Sequence, residues 1–168
     1  MCGIAGYFNP DQNYAENPKQ NFHTLSRMIN TMNHRGPDTY GHTIINSCCL
    51  AHTRLSIIDL ENGRQPMSYT KDGNTYYIVY NGEIYNYKEV KKTLLRKNYT
   101  FETNSDTEVI IAAFCHYGPG FVKELNGIFA IAIYDSMRNT LYLYRDRFGV
   151  KPLYYTKTGD TLVFASRI

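Results

Sequence analysis

Residues 74–87 read NTYYIVYNGEIYNY. The run of β-branched and aromatic side chains predicts a strand. Asn81-Gly82 reads as a break in it, since this dipeptide is most often a turn signal. Asn86 followed by Glu89 has the form of a capping box and predicts a helix to about Lys97. Ser105 with Glu108 is a cleaner S-x-x-E pattern, opening the helix DTEVIIAAFCHY (106–117), which Gly118-Pro119 closes. Beyond it GIFAIAIYD, TLYLYRD, LYY and LVFAS predict four strands. Upstream, CGIAGYF (2–8) reads as a buried first strand and NPDQNYAENPKQN (9–21) as a polar loop. Phe22, Leu25, Ile29 and Met32 recur at helical spacing until Gly36-Pro37 breaks the pattern. YGHTII (40–45) and CCLAHTRLSI (48–57) predict strands, and DLENGRQPM (59–67) a turn-rich loop. Helices and strands thus come in blocks, which favours a layered α+β fold over a strictly alternating α/β one.

The chain has 168 residues, the length of one domain, and is 43% hydrophobic and 20% charged, as a self-sufficient core requires. Sixteen tyrosines and eight phenylalanines without tryptophan fit a β-rich core with polar margins. A net charge of +3 without a run of Lys or Arg argues against nucleic acid as a partner. No apolar stretch approaches the ~20 residues of a membrane span, and no secretory signal opens the chain. A cytoplasmic protein is expected. Cys2, Cys48, Cys49 and Cys115 match no metal or redox spacing and read as reduced thiols. The five histidines show no ligand spacing either, so no metal is expected.

Cys2 directly follows Met1. If Met1 is removed, Cys2 carries both a thiol and an α-amine, and that amine titrates at about 7.7–8.0, close to working pH. Base and nucleophile then belong to one residue. Gly3 leaves room beside the backbone. In YNGEIYN (80–86), the Asn81 amide and the Gly82 N–H could instead point two donors at one oxygen, the kit of an oxyanion hole. Arg54 sits inside the apolar run HTRLSII, where it needs a partner: a ligand carboxylate, or an ion pair with Asp59 or Asp38. Asp106 at a helix N-terminus suits the helix dipole, or a ligand ammonium, and Glu83 could be a second such group. HRGPD (34–38) offers a rigid turn with a basic residue.

MCGIAGYF, NHRGPD, LAHTRLSIID, YNGEIYNY, SDTEVI, LNGIFAIAIYD, RDRFGVKPLYY and FAS occur in one order along the chain. In this the chain resembles the class II glutamine amidotransferases, N-terminal-nucleophile hydrolases, and within them the glutaminase half of the glutamine-hydrolysing asparagine synthetases. The resemblance runs from Cys2 to about Ser166. It implies a four-layer αββα sandwich of two mostly antiparallel sheets between helices. It implies removal of Met1, Cys2 as nucleophile, and an oxyanion hole from Asn81 and Gly82. Arg54 would hold the glutamine α-carboxylate, Glu83 and Asp106 the α-amino end, and the segment Leu55, Ser56, Ile57 and Ile58 would line the same pocket. Arg35 would frame the site.

The resemblance further implies L-glutamine as ligand, a synthetase domain in cis, and a homodimer as one assembly state. No cofactor is implied for the glutaminase half; ATP and Mg²⁺ belong to the synthetase half. No S-G-G-x-D-S loop of an ATP pyrophosphatase occurs in the 168 residues, so these residues are expected to supply ammonia only. The abrupt end in FASRI, with Arg167 where the family usually carries an acid, reads as a fragment boundary. Two other readings stay open: the glutaminase domain of another class II amidotransferase, and a glutamine-binding module with little turnover.

Overall fold

The computed structural model describes residues 2–32, 39–54 and 63–168. Strand β1 (Gly3–Phe8) leads through a 3₁₀ turn at Tyr14–Glu16 into helix α1 (Pro18–Asn30). Strands β2 (Thr39–Ile45), β3 (Cys48–Arg54), β4 (Met67–Lys71) and β5 (Asn74–Ile84) follow. Then come helices α2 (Tyr87–Leu95) and α3 (Asp106–Tyr117), a 3₁₀ segment Gly118–Glu124, and strands β6 (Gly127–Asp135), β7 (Thr140–Arg145), β8 (Tyr154–Thr158) and β9 (Thr161–Ala165). Among the described residues these build two sheets, in the orders β2-β3-β1-β9-β8 and β4-β5-β6-β7. Every neighbouring pair is antiparallel.

The layers follow from where apolar side chains alternate. Between the sheets lie Ile4, Leu50, Val79, Ala130, Ala132, Tyr134 and Phe164. Outside the first sheet, α1 packs Leu25 and Ile29 on Tyr7, Cys49 and Ala51. Outside the second, α2 and α3 pack Val90, Leu94, Ile110 and Phe114 on Ile78, Tyr80, Ile131 and Ile133. The order helix, sheet, sheet, helix is the expected αββα sandwich. Cys48 and Cys49 fall on opposite faces of β3, one between the sheets and one under α1, and burial pushes both thiols up. They remain reduced.

Several local expectations are corrected. Asn81-Gly82 is no break: β5 runs through it to Ile84, paired with β6 as Asn81↔Ala130 and Gly82↔Phe129. Gly82 is glycine because Cα of Phe129 would stand 2.8 Å from any Cβ there. The Gly3 space is likewise not open, since a Cβ would meet Thr53 Oγ1 at 2.8 Å and Met32 Sδ at 3.2 Å. The Asn86 side chain does not cap α2; it ties Asn126 N–H and the Glu124 carbonyl, at 2.8 and 2.9 Å. Ser105 does cap α3, accepting from Thr107 N–H at 3.1 Å. Glu108 does not close the box, and instead accepts the N–H groups of Glu102 and Thr103, both at 2.8 Å, fixing the approach to the helix. Helix α1 starts at Pro18, one turn before the apolar periodicity, because Pro suits the first helical position. The β4–β5 hairpin went unread. Its signal was Asp72-Gly73, both at positive φ (51° and 79°), as a tight hairpin turn requires.

Candidate active site

Three strands carry the sandwich interior out to one end, each by its period of two. On β1 the inward position after Ile4, counting toward the N-terminus, is Cys2. On β3 the series Cys48, Leu50 continues to His52 and Arg54. On β5 Val79 is followed by Asn81 and Glu83. The apolar members of these series lie in the inter-sheet core, and the polar ones line one cleft of about 190 Å³. Its walls also include Gln65, Tyr80, Gly82, Ser105, Asp106, Thr107 and Lys151. A larger groove, about 740 Å³, lies between α1 and β8–β9, but among its lining residues there is no cysteine, histidine or acid. The smaller cleft is therefore the candidate site.

The second sheet presents an open edge to this cleft. Strand β4 stops pairing at Met67↔Ile78, so beyond it β5 has no neighbouring strand on that side among the described residues. The Tyr80 N–H is taken by Gln65 Oε1 at 2.6 Å. Four residues on, the Ile84 N–H bonds Asp106. Between them is Gly82. Its partner Phe129 gives its N–H to Asp146 Oδ2 (3.2 Å) and takes the Asp146 N–H on its carbonyl (2.8 Å), so the Gly82 amide is turned away from β6 toward the open edge. Asn81 adds a second donor. It is 3% exposed, and its Nδ2 has no acceptor among the described residues. A buried amide donor left unpaired is costly unless a ligand oxygen completes it.

Charges are arranged around these donors. Arg54, buried on β3, and Lys151 supply positive charge; Glu83 and Asp106 supply negative charge. Asp106, the first residue of α3, accepts the Tyr80 hydroxyl at 2.9 Å. Burial raises its pKa, against the opposing hydrogen bonds from Tyr80, Ile84 and Thr107. Lys151 reaches the cleft from a loop wound on Asp146, whose carboxylate accepts the N–H groups of Phe148, Val150 and Lys151 at 3.0–3.1 Å. Such an arrangement can seat a small zwitterion, put a thiol near one carbonyl, and offer two donors to the oxyanion that forms.

His52 is a buried titratable group of the wall. Burial, reinforced by the Arg54 charge, pushes it down to about 3, against a hydrogen bond to the Tyr80 backbone. It is neutral at working pH. Its folded pKa lies below its ordinary 6.5, so the stability it contributes is present above pH 6.5 and is lost as the pH falls toward 3. Urea unfolding at stepped pH should show this decline between about pH 6.5 and 4, and His52→Asn should flatten it. An equally steep decline in the variant would assign the acid lability elsewhere.

Of the residues expected in the site, the structure brings Cys2, Arg54, Asn81, Gly82, Glu83 and Asp106 to one cleft. Leu55, Ser56, Ile57 and Ile58 lie outside the described residues, as do Arg35, Asp38 and Asp59. Gln65, His52, Tyr80 and Lys151 were not foreseen. For His52 the signal was its spacing of two from Arg54. For Gln65 it was an amide side chain directly before Pro66, which cannot extend a β ladder.

Residues 1–168 match the family model of the glutamine amidotransferase domain, and the chain belongs to that family. Among curated proteins it is 42% identical over 168 residues to Asparagine synthetase [glutamine-hydrolyzing] 3 of Bacillus subtilis, covering all of this chain and 27% of that protein. It is 40% identical over 165 residues to Asparagine synthetase B [glutamine-hydrolyzing] of Escherichia coli, covering 97% of this chain and 28% of that one. The chain thus spans about a quarter of the length of these relatives. Among solved structures, the glutamine phosphoribosylpyrophosphate amidotransferase of B. subtilis superposes with a TM-score of 0.77 over 98% of this chain and 42% of that one, at 20% identity. That likeness shows that the two share the same two-sheet fold.

Proposed function

We propose that this chain hydrolyses L-glutamine to glutamate and ammonia through a thioester on Cys2. The observation that carries the reading is a cleft with Cys2 at one wall, an Asn81 donor without an acceptor among the described residues at the other, and charges of both signs around them. With Met1 removed, the α-amine takes the thiol proton and the thiolate adds to the side-chain amide carbon. The oxyanion accepts from Asn81 Nδ2 and Gly82 N–H. The α-ammonium returns the proton to the leaving nitrogen, ammonia departs and the thioester remains. Water then attacks, giving glutamate and the free thiol. Arg54 holds the α-carboxylate, while Glu83 and Asp106 hold the α-ammonium. Leu55, Ser56, Ile57 and Ile58 are assigned to glutamine binding from the family resemblance alone, and the residue count supports one glutaminase domain over 1–168.

Glutamate release from glutamine, together with the N-terminal mass, tests this. A processed chain without turnover that still binds glutamine would select the binding-module reading. For the longer protein we propose that the ammonia serves an ATP- and Mg²⁺-dependent synthetase portion in cis that converts aspartate to asparagine. A second reading, an acceptor other than aspartate, stays in view because a protein named Amidase chyE of Penicillium rubens, not an asparagine synthetase by name, is 37% identical to this chain. Supplying the full-length protein with glutamine, ATP and aspartate, and assaying asparagine by mass, separates the two.

Asp106 offers a further test. Its folded pKa is raised above the ordinary value of 3.8, so in the folded chain the ionised form is disfavoured: this stability is present at low pH and is lost as the pH rises through the folded pKa. Asp106→Asn should therefore raise the unfolding midpoint at neutral pH while raising KM for glutamine by ~10-fold or more. A variant that loses stability and keeps KM would remove Asp106 from the ammonium subsite.

A further inference from the structure

We propose that Gln65 is a positioning residue for this site: one side-chain amide holds the open edge of β5 and the start of α3 in a single frame, and so orients both the Asn81-Gly82 corner and Asp106. The proposal rests on the glutaminase reading above.

Continuing the β4–β5 register past Met67↔Ile78 would bring residue 65 opposite Tyr80. Pro66 has no N–H with which to continue a ladder. The Gln65 side chain supplies the rung instead. Its Oε1 accepts the Tyr80 N–H at 2.6 Å, and its Nε2 donates to Thr107 Oγ1 at 3.2 Å. Its own carbonyl oxygen occupies the place where a side chain on Gly41 would stand, so β2 is fitted against it too.

The two partners are informative. Tyr80 directly precedes Asn81-Gly82, and Thr107 directly follows Asp106. Tyr80 then closes the circuit, donating its hydroxyl to Asp106 Oδ2 at 2.9 Å. Gln65, Tyr80, Asp106 and Thr107 thus form a closed ring in which each link is a hydrogen bond or a peptide bond. Gln65 is 9% exposed, and its amide is well matched to the task. It accepts from an N–H and donates to a hydroxyl, where a carboxylate would add a second negative charge beside Asp106.

Gln65→Met keeps the volume and removes both bonds, leaving the Tyr80 N–H buried and unpaired. Thr107→Val cuts the α3 link alone. Steady-state glutaminase kinetics on the Met1-processed chain, run well below the unfolding temperature, should separate them. In Gln65→Met we expect kcat/KM to fall ~10–100-fold, with kcat lower and KM higher; in Thr107→Val, KM should rise ~3–10-fold with kcat within about twofold. A merely structural role would lower the unfolding midpoint without this split. A folded Gln65→Met with wild-type kcat and KM overturns the proposal and leaves the glutaminase reading standing. Should that variant not fold, an unchanged KM in Thr107→Val overturns it. A processed wild-type chain that does not turn glutamine over overturns both readings.

Discussion

Cys2→Ala should abolish glutamate release, by at least ~10⁴-fold in kcat, because it removes the bond-forming atom and leaves no neighbour to replace it. The other thiols cannot stand in. Cys48 is sealed between the sheets, Cys49 lies under α1, and Cys115 is on α3 with its pKa pushed up by burial to about 12. The variant should still bind glutamine, since Arg54, Glu83 and Asp106 are untouched. Isothermal titration alongside the rate assay gives both answers. Equal slow glutamate release from wild type and variant would sink the thioester mechanism. Retained Met1 in the wild type would block the α-amine, and should depress the rate without altering binding; treatment with a methionine aminopeptidase should then restore it.

Asn81→Ala should lower kcat by ~10²–10³-fold, worth about 2.7–4 kcal/mol of transition-state stabilisation, with KM nearly unchanged. Its effect on stability should be small, within about 1 kcal/mol, because Asn81 Nδ2 has no acceptor among the described residues to lose. That separation of activity from stability is the signature of a donor kept for a ligand. A large drop in the unfolding midpoint with proportionate loss of rate would instead make Asn81 a packing residue. Gly82 cannot be probed as cleanly, because the Phe129 backbone and the Tyr80 ring, 2.8 and 2.7 Å from a would-be Cβ, leave no room for a side chain.

Much of the fold was legible because strand and helix periods differ and the chain keeps them in blocks. The alternation in CGIAGYF and GIFAIAIYD, and the spacing of Leu25 and Ile29, marked buried faces that the structure confirms. What misled was local chemistry overridden by tertiary contacts. Asn81-Gly82 looks like a turn in isolation, yet β6 pairs along the whole of it and requires the glycine for close approach. Asn86 and Glu108 each look like half of a capping box, yet Asn86 ties the stretch before β6 and Glu108 the approach to α3. The candidate site was legible in its charged and nucleophilic members, since Cys2, Arg54 and Asp106 are chemically conspicuous. Gln65 was not, because a glutamine beside a proline in a loop gives no sign of burial until the missing rung of β4 is seen.

The route by which β1, β3 and β5 reach the cleft sets which length changes the molecule can survive. An added residue at the Asp72-Gly73 tip leaves every facing residue where it was. One extra residue between Val79 and Asn81 would swing the amide from the inter-sheet side to the helix side. Two extra residues would restore the facing but carry the amide ~6.8 Å along the strand, beyond reach of the thiol. Relatives that remodel the tips of these hairpins can therefore keep the chemistry, whereas an insertion of either parity inside the three strands ends it.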